Sequence, residues 1–220
     1  MAEINAEKKQ KKERTFVYSK GCMLVRAIFH TLLPVKYHNP TGMDREGPYM
    51  LVANHQSWID PVIIAVGCRA HEIRFVGKKE LTKNKALAWL VTTLHMITVD
   101  RHNTDLQAMR QCNQVLKEGK VLGIFPEGTR HLPDMMSEVE TGAAVLAFRS
   151  KAVVLPVYIQ NKLKLFRRTH VYVGEPLALS DLYAQGMNTD TIQEMCSRIQ
   201  HTFWDMRKEY QATARKQKKK

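Results

Sequence analysis

Cysteine is scarce in this chain of 220 residues, and the four present, Cys22, Cys68, Cys112 and Cys196, lie far apart with no C-x-x-C spacing. That argues against a zinc site or a redox dithiol and points to a reducing compartment. Cys68 and Cys112 stand among apolar or helical residues and are expected in the core. Long hydrophobic runs are also missing. The best apolar stretch, Cys22–Val35, is shorter than the roughly 20 residues a spanning helix needs, and Arg26 and His30 interrupt it. The pattern of a secretory signal peptide is not found at the start. There is no internal repeat, no H-E-x-x-H, no zinc-finger spacing and no aromatic RNA-binding signature. Acidic residues are the minority charge: 21 Asp and Glu face 34 Lys and Arg, a formal net charge of +13.

What is there suits one domain with a real core, since 44% of the residues are hydrophobic. The basic excess peaks at the two ends. Lys8, Lys9, Lys11, Lys12 and Arg14 open the chain, and Arg215, Lys216, Lys218, Lys219 and Lys220 close it. Such runs bind polyanions, nucleic acid or anionic lipid, or remain as solvated tails. Residues 15–33 predict an amphipathic helix with Leu24, Ile28 and Leu32 on its apolar side, ended by Pro34. Such a helix lies in a membrane surface or packs on the domain. The flanking basic residues favour the membrane surface.

Beyond Pro34 the chain alternates between strand-like and helix-like runs. Strands are expected at Val35–His38, Tyr49–Ala53, Ile73–Gly77, Met96–Val99, Val121–Phe125, Val153–Ile159 and Thr169–Val173. Helices are expected at Pro61–Val66, Lys79–Thr93, Thr104–Glu118 (stopped by Gly119), Val139–Ser150 and Thr189–Arg215. This alternation means an α/β fold, one domain with a mixed, largely parallel sheet flanked by helices. The organisation is a basic tail and membrane-binding helix over 1–34, an α/β domain over 35–188, and a C-terminal helix and basic tail over 189–220. The last helix fits packing or self-association equally.

The densest chemistry lies in Asn54-His-Gln-Ser-Trp-Ile-Asp60, after an apolar strand. An imidazole backed by a carboxylate is a general base. No obvious protein nucleophile accompanies it, so the base would act on a hydroxyl that the substrate brings. On a regular helix His55 and Asp60 would be about 140° apart, so they can meet only across a turn-to-helix junction. Asp60 before Pro61, or alternatively Ser57, reads as a helix cap; Asp60 as a cap and His55 as a loop residue is the structural alternative. A second group is Phe125-Pro-Glu-Gly-Thr-Arg130. Gly128 permits close backbone approach to a ligand, Arg130 offers a fork for phosphate, and Glu127 could orient that arginine or bind a substrate hydroxyl. The alternative is an ordinary turn with a solvated arginine. A third is Val99-Asp-Arg101, again past a strand end. A fourth is Val154-Leu-Pro-Val-Tyr158, where proline inside a strand implies an edge or a bulge.

In this order the four segments resemble the glycerolipid acyltransferase family, most of all 1-acylglycerol-3-phosphate acyltransferases of the bacterial type. Asn54, His55 and Asp60 match N-H-x-x-x-x-D. Val99, Asp100 and Arg101 match V-D-R, preceded by Phe75–Leu81, which is similar to F-V-A-K-K-E-L. Phe125–Arg130 matches F-P-E-G-T-R at every position, and the strand around Pro156 resembles V-x-P-V. The likeness spans roughly residues 35–175. The chain departs from the pattern at Glu140-Thr141, where a Lys is expected before Gly142, at His95-Met-Ile-Thr before the second block, and at His131, where Ser is frequent.

The resemblance implies a transferase that moves a fatty acyl group from acyl-CoA or acyl-carrier protein to the free 2-hydroxyl of lysophosphatidate. His55 would be the base and Asp60 its orienting partner. Arg101, Glu127, Gly128, Thr129 and Arg130 would hold the substrate phosphate, and amides at the helix start near Asp60 would face the oxyanion. It implies no metal and no cofactor beyond the acyl donor, and work at an anionic membrane, on the cytoplasmic face of the cell membrane, as a peripheral or monotopic protein. Glycerol-3-phosphate or another lysophospholipid is the alternative acceptor. A non-enzymatic membrane or nucleic-acid binder is the competing class, and nucleic acid is the less expected partner.

Overall fold

The structure, a computed structural model, describes residues 16–100, 105–128 and 138–217. In chain order its elements are helix α1 (Phe16–Thr31), strand β1 (Val35–His38), a 3-10 turn at Pro40–Asp44, β2 (Tyr49–Ala53), α2 (Asp60–Gly67), β3 (Ile73–Lys78), a 3-10 turn at Lys79–Lys83, α3 (Lys85–Thr93), β4 (Ile97–Val99), α4 (Leu106–Lys117), β5 (Val121–Ile124), α5 (Thr141–Ser150), β6 (Val153–Ile159), β7 (Thr169–Val173), α6 (Ser180–Gln185) and α7 (Thr189–Gln217). Among the described residues the strands form one seven-stranded sheet in the order β1-β7-β6-β2-β5-β3-β4. From β6 to β4 neighbours run parallel. β7 is antiparallel to β6, and β1 is parallel to β7. The sheet is thus mixed and largely parallel, as the alternating pattern predicts.

β2 explains why the sheet is covered on both faces. All five of its residues are buried, so neither set of alternating side chains can face water. Met50 and Val52 pack with Leu122 and Val154 against α4, α5 and α7, through Cys112, Leu116, Ala144, Met195 and Phe203. Tyr49, Leu51 and Ala53 pack with Val121 and Leu155 against α1 and α2, through Tyr18, Phe29, Ile63 and Ile64. The C-terminal helix is therefore core: Ile192, Met195, Ile199, Phe203 and Met206 are all buried on it. Cys68 and Cys112 are buried, and burial pushes the Cys112 thiol up to about 12.

α1 differs from the single apolar side expected of it. Tyr18, Cys22 and Phe29 face the domain, and Arg26 Nη2 donates to the Val66 carbonyl at 2.8 Å. Met23, Leu24, Ile28 and Leu32 point outward and are exposed. The helix is apolar on two sides, and among the described residues the domain covers only one of them.

The other differences are local. The run 79–93 breaks at Asn84, whose extended backbone separates a 3-10 turn from α3. Within that turn the Thr82 hydroxyl donates to the Lys79 carbonyl, a bond that competes with helix continuation. The proline strand β6 is neither an edge nor bulged: it lies between β7 and β2. The Pro156 carbonyl accepts from Gly174 N–H, just past the end of β7. The missing Pro156 N–H points to that same side, toward Gly174, so this pair keeps one bond and the ladder to β2 on the other side is unaffected. α4 stops as expected: Gly119 has φ +79°, and its N–H and that of Lys120 close on the carbonyls of Leu116 and Val115.

Candidate active site

β2 delivers Asn54 and His55 to the carboxyl ends of the central strands, where open α/β sheets bind ligands. The chain then doubles back, with Asp60 N–H donating to Ser57 O at 3.2 Å. This turn brings His55 Nδ1 to 2.9 Å from Asp60 Oδ2. Asp60 is fully buried and surrounded by donors. Its Oδ2 also accepts from the amides of Gln56 (2.6 Å) and Ser57 (2.7 Å), and its Oδ1 from the Ser57 hydroxyl (2.6 Å). A carboxylate only accepts, so His55 donates through Nδ1 and carries its lone pair on Nε2. The Ser57 hydroxyl is likewise committed to Asp60.

One expectation about this loop is corrected. Neither Asp60 nor Ser57 caps α2. The N-cap is Ile59, without a side-chain cap bond, and Asp60 and Pro61 form the first turn. A buried carboxylate needs donors on every side, and the preceding loop supplies more of them than the helix start does. The same arrangement engages several amides around the helix start. The amides of Gln56 and Ser57 face Asp60, and those of Asp60 and Val62 donate to the carbonyls of Ser57 and Ile59.

The neighbouring strand β5 supplies the other wall. Gly128 N–H donates to Phe125 O at 3.1 Å, closing a turn with Pro126 in its second position. Gly128 has φ +66°, a conformation that glycine adopts without steric cost. The Phe125 ring stacks on the His55 ring at 4.2 Å, and Phe75 backs it at 6.0 Å. Glu127 is 4% exposed. Its Oε1 accepts from the His55 backbone N–H at 2.9 Å, and its Oε2 is buried with no hydrogen-bond partner among the described residues. Burial pushes the Glu127 carboxyl up to about 7; the His55 N–H opposes the rise and the charge of Asp60 adds to it. A carboxyl of this kind changes protonation near neutrality, one backbone bond from the imidazole.

The structure thus brings His55, Asp60, Glu127 and Gly128 together. Arg101, Thr129 and Arg130 lie outside the described residues. Val99 ends β4 at the same edge of the sheet, and Asp100 N–H donates to Asp105, which caps α4 through Ala108 N–H.

Two residues position this loop: Asn54, a motif residue to which the sequence assigned no role, and Gln56, which the sequence did not single out. Asn54 pairs with Ile159 in both directions, donating Nδ2–H to its carbonyl (2.9 Å) and accepting its N–H (2.7 Å). Gln56 Nε2 donates to the same carbonyl at 2.8 Å. Together they splice the His55 loop onto the end of β6. A surface hollow of about 380 Å³ opens elsewhere, between the segment after β7 and α7, and includes neither His55 nor Glu127.

Known proteins are similar to this chain in sequence and in fold. A family model described as Acyltransferase matches residues 34–160. A Bacillus subtilis (strain 168) protein named 1-acyl-sn-glycerol-3-phosphate acyltransferase is 30% identical over 152 residues, 67% of this chain and 75% of that protein. A protein of the same name from Streptococcus pneumoniae (strain ATCC BAA-255 / R6) is 32% identical over 174 residues, 76% of this chain and 64% of that protein. The crystal structure of the 1-acyl-sn-glycerophosphate (LPA) acyltransferase PlsC from Thermotoga maritima shares the fold, with a TM-score of 0.67 and 22% identity over 89% of this chain and 78% of that one.

Proposed function

The chain belongs to the acyltransferase family, and from that premise we propose that it transfers a fatty acyl group from acyl-CoA or acyl-carrier protein to the free 2-hydroxyl of lysophosphatidate, forming phosphatidate. The names of the bacterial relatives support this acceptor. The observation that carries the chemistry is the 2.9 Å contact between His55 Nδ1 and buried Asp60 at the end of β2.

With Nδ1–H held by Asp60, Nε2 takes the proton from the 2-hydroxyl as its oxygen attacks the thioester carbonyl. An O–C bond forms and an O–H bond breaks. Collapse of the tetrahedral intermediate breaks the C–S bond, and the imidazolium returns the proton to the leaving thiolate. Asp60 stabilises the imidazolium, and Phe125 lies against its face. Ser57, the hydroxyl within the motif, donates to Asp60, which supports direct transfer to the acceptor without an acyl-enzyme. Positioning of two substrates supplies much of the rate. Arg101 and Arg130 hold the phosphate, with Glu127, Gly128 and Thr129 shaping that pocket.

Both substrates carry acyl chains, so the reaction takes place at a bilayer surface. No helix among the described residues is long and apolar enough to cross a membrane. The exposed apolar side of α1, with Leu24 66% exposed, supports attachment to one face as a peripheral or monotopic protein; the face proposed is the cytoplasmic one. The test is phosphatidate formation by His55→Ala, with acyl-CoA and acyl-carrier protein crossed against lysophosphatidate and glycerol-3-phosphate. A folded His55→Ala protein that keeps wild-type turnover would sink the mechanism, and preference for glycerol-3-phosphate would change the acceptor.

A further inference from the structure

The segment between β6 and β7 reads Asn161-Lys-Leu-Lys-Leu-Phe-Arg-Arg168. Leu163 packs against the core beneath the sheet's α1 face and anchors the segment. Lys164 and Arg167 then pair across a tight turn, Arg167 N–H donating to Lys164 O at 3.2 Å. Its two central residues, Leu165 and Phe166, are 62% and 71% exposed. Phe166 has φ +56°, a left-handed conformation in which glycine or asparagine is usual. A phenylalanine held there, in water, serves neither the core nor the turn. Strain of this kind is a reason to look for a role. Around it stand Lys162, Lys164, Arg167 and Arg168, none in an ion pair among the described residues.

Topology sets where this tip lies. β6 runs parallel to β2, so both end at the edge that carries His55. The Ile159 carbonyl at that end accepts from Asn54 and Gln56, the neighbours of His55. β7 and β1 run the opposite way, so both begin at this edge. The C-terminal end of α1 therefore arrives there too, and Phe166 N–H donates to Leu32 O at 2.8 Å. The exposed apolar residues Leu24, Ile28 and Leu32 thus join Leu165 and Phe166, with four cations at the rim.

We propose that the Lys164–Arg167 turn is a bilayer-insertion tip, in which Leu165 and Phe166 enter the interface of an anionic membrane while the surrounding lysines and arginines hold lipid phosphates. It rests on the reading of this chain as an enzyme of lipid substrates. The tip would seat the His55 edge of the sheet against the lipid, beside α1. The aliphatic side chains that continue the patch along α1 match acyl chains and offer a nucleic-acid base nothing to stack on.

The test uses the full chain, sedimented with vesicles of equal parts phosphatidylcholine and phosphatidylglycerol, and with phosphatidylcholine alone. Phe166→Asn suits the left-handed backbone, so it is expected to melt at or above the wild-type temperature while binding the anionic vesicles about tenfold more weakly. Lys164→Gln with Arg167→Gln is expected to lose about tenfold on anionic vesicles and little on neutral ones. Wild-type vesicle binding by Phe166→Asn, a lowered melting temperature without a binding defect, or loss of oligonucleotide binding in place of vesicle binding would each overturn the proposal. Turnover of detergent-dispersed lysophosphatidate is expected to survive Phe166→Asn, and vesicle binding to survive His55→Ala. Active His55→Ala with weakened binding by Phe166→Asn would refute the catalytic reading and leave the tip standing.

Discussion

Replacing Glu127 with Gln removes a titrating group from the wall of the site while keeping an oxygen to accept the His55 N–H. In the folded protein burial raises this carboxyl from 4.5 to about 7. Between those values the folded state binds a proton that the unfolded chain has released. Stability from this group is therefore complete below the unfolded value and is lost as pH rises through the folded one. The shift corresponds to about 3 kcal/mol across the window. A neutral amide in its place would carry no such penalty. The melting temperature of Glu127→Gln relative to wild type is expected to rise by roughly 10 °C between about pH 5 and about pH 8. Thermal melts of both proteins at the two pH values measure this. A difference that stays flat with pH, or grows toward acid, refutes the account of Glu127 as a buried carboxyl ionising against its surroundings. Turnover adds a second reading. If the neutral acid is the working form, Glu127→Gln retains much more activity near neutrality than Glu127→Ala.

Asp60→Asn keeps the side-chain shape but turns an amide toward a site with four donors, so turnover is expected to fall about a thousandfold or more, with a loss of about 2 kcal/mol seen in urea denaturation. Asn54→Ala removes both bonds to Ile159 and is expected to cost about 2 kcal/mol, lowering the melting temperature by roughly 4–8 °C. Gly123→Ala places a methyl 2.5 Å from Phe75 Cδ1, and Phe75 backs the Phe125 ring that lies on His55. It is expected to lose about 1–3 kcal/mol of stability and to reduce kcat, checked by melts and steady-state kinetics.

Much of the fold was legible because β2 and β5 are apolar on both sides, which only a covered sheet allows. The exception inside it, Pro156, needed the third dimension. Whether a missing N–H matters depends on which neighbour it would meet, and Pro156 would meet Gly174, past the end of β7, while its ladder to β2 stays whole. α1 was half legible for a similar reason. Its apolar residues are visible in sequence, but which of them the domain covers depends on where α2 lies.

By itself the sequence determined the strands, most of the helices, the motif positions and the order of the blocks, because these follow from local periodicity and residue chemistry. The tertiary structure decided what depends on contact between distant segments. It carried the Asp60 carboxylate back to His55 and to the amides of Gln56 and Ser57. It set Glu127 on the His55 backbone across 72 positions and Ile159 on Asn54 across 105. It also buried Glu127 enough to bring its ionisation near neutrality. Burial and donor geometry are properties of packing, and no spacing along the chain encodes them.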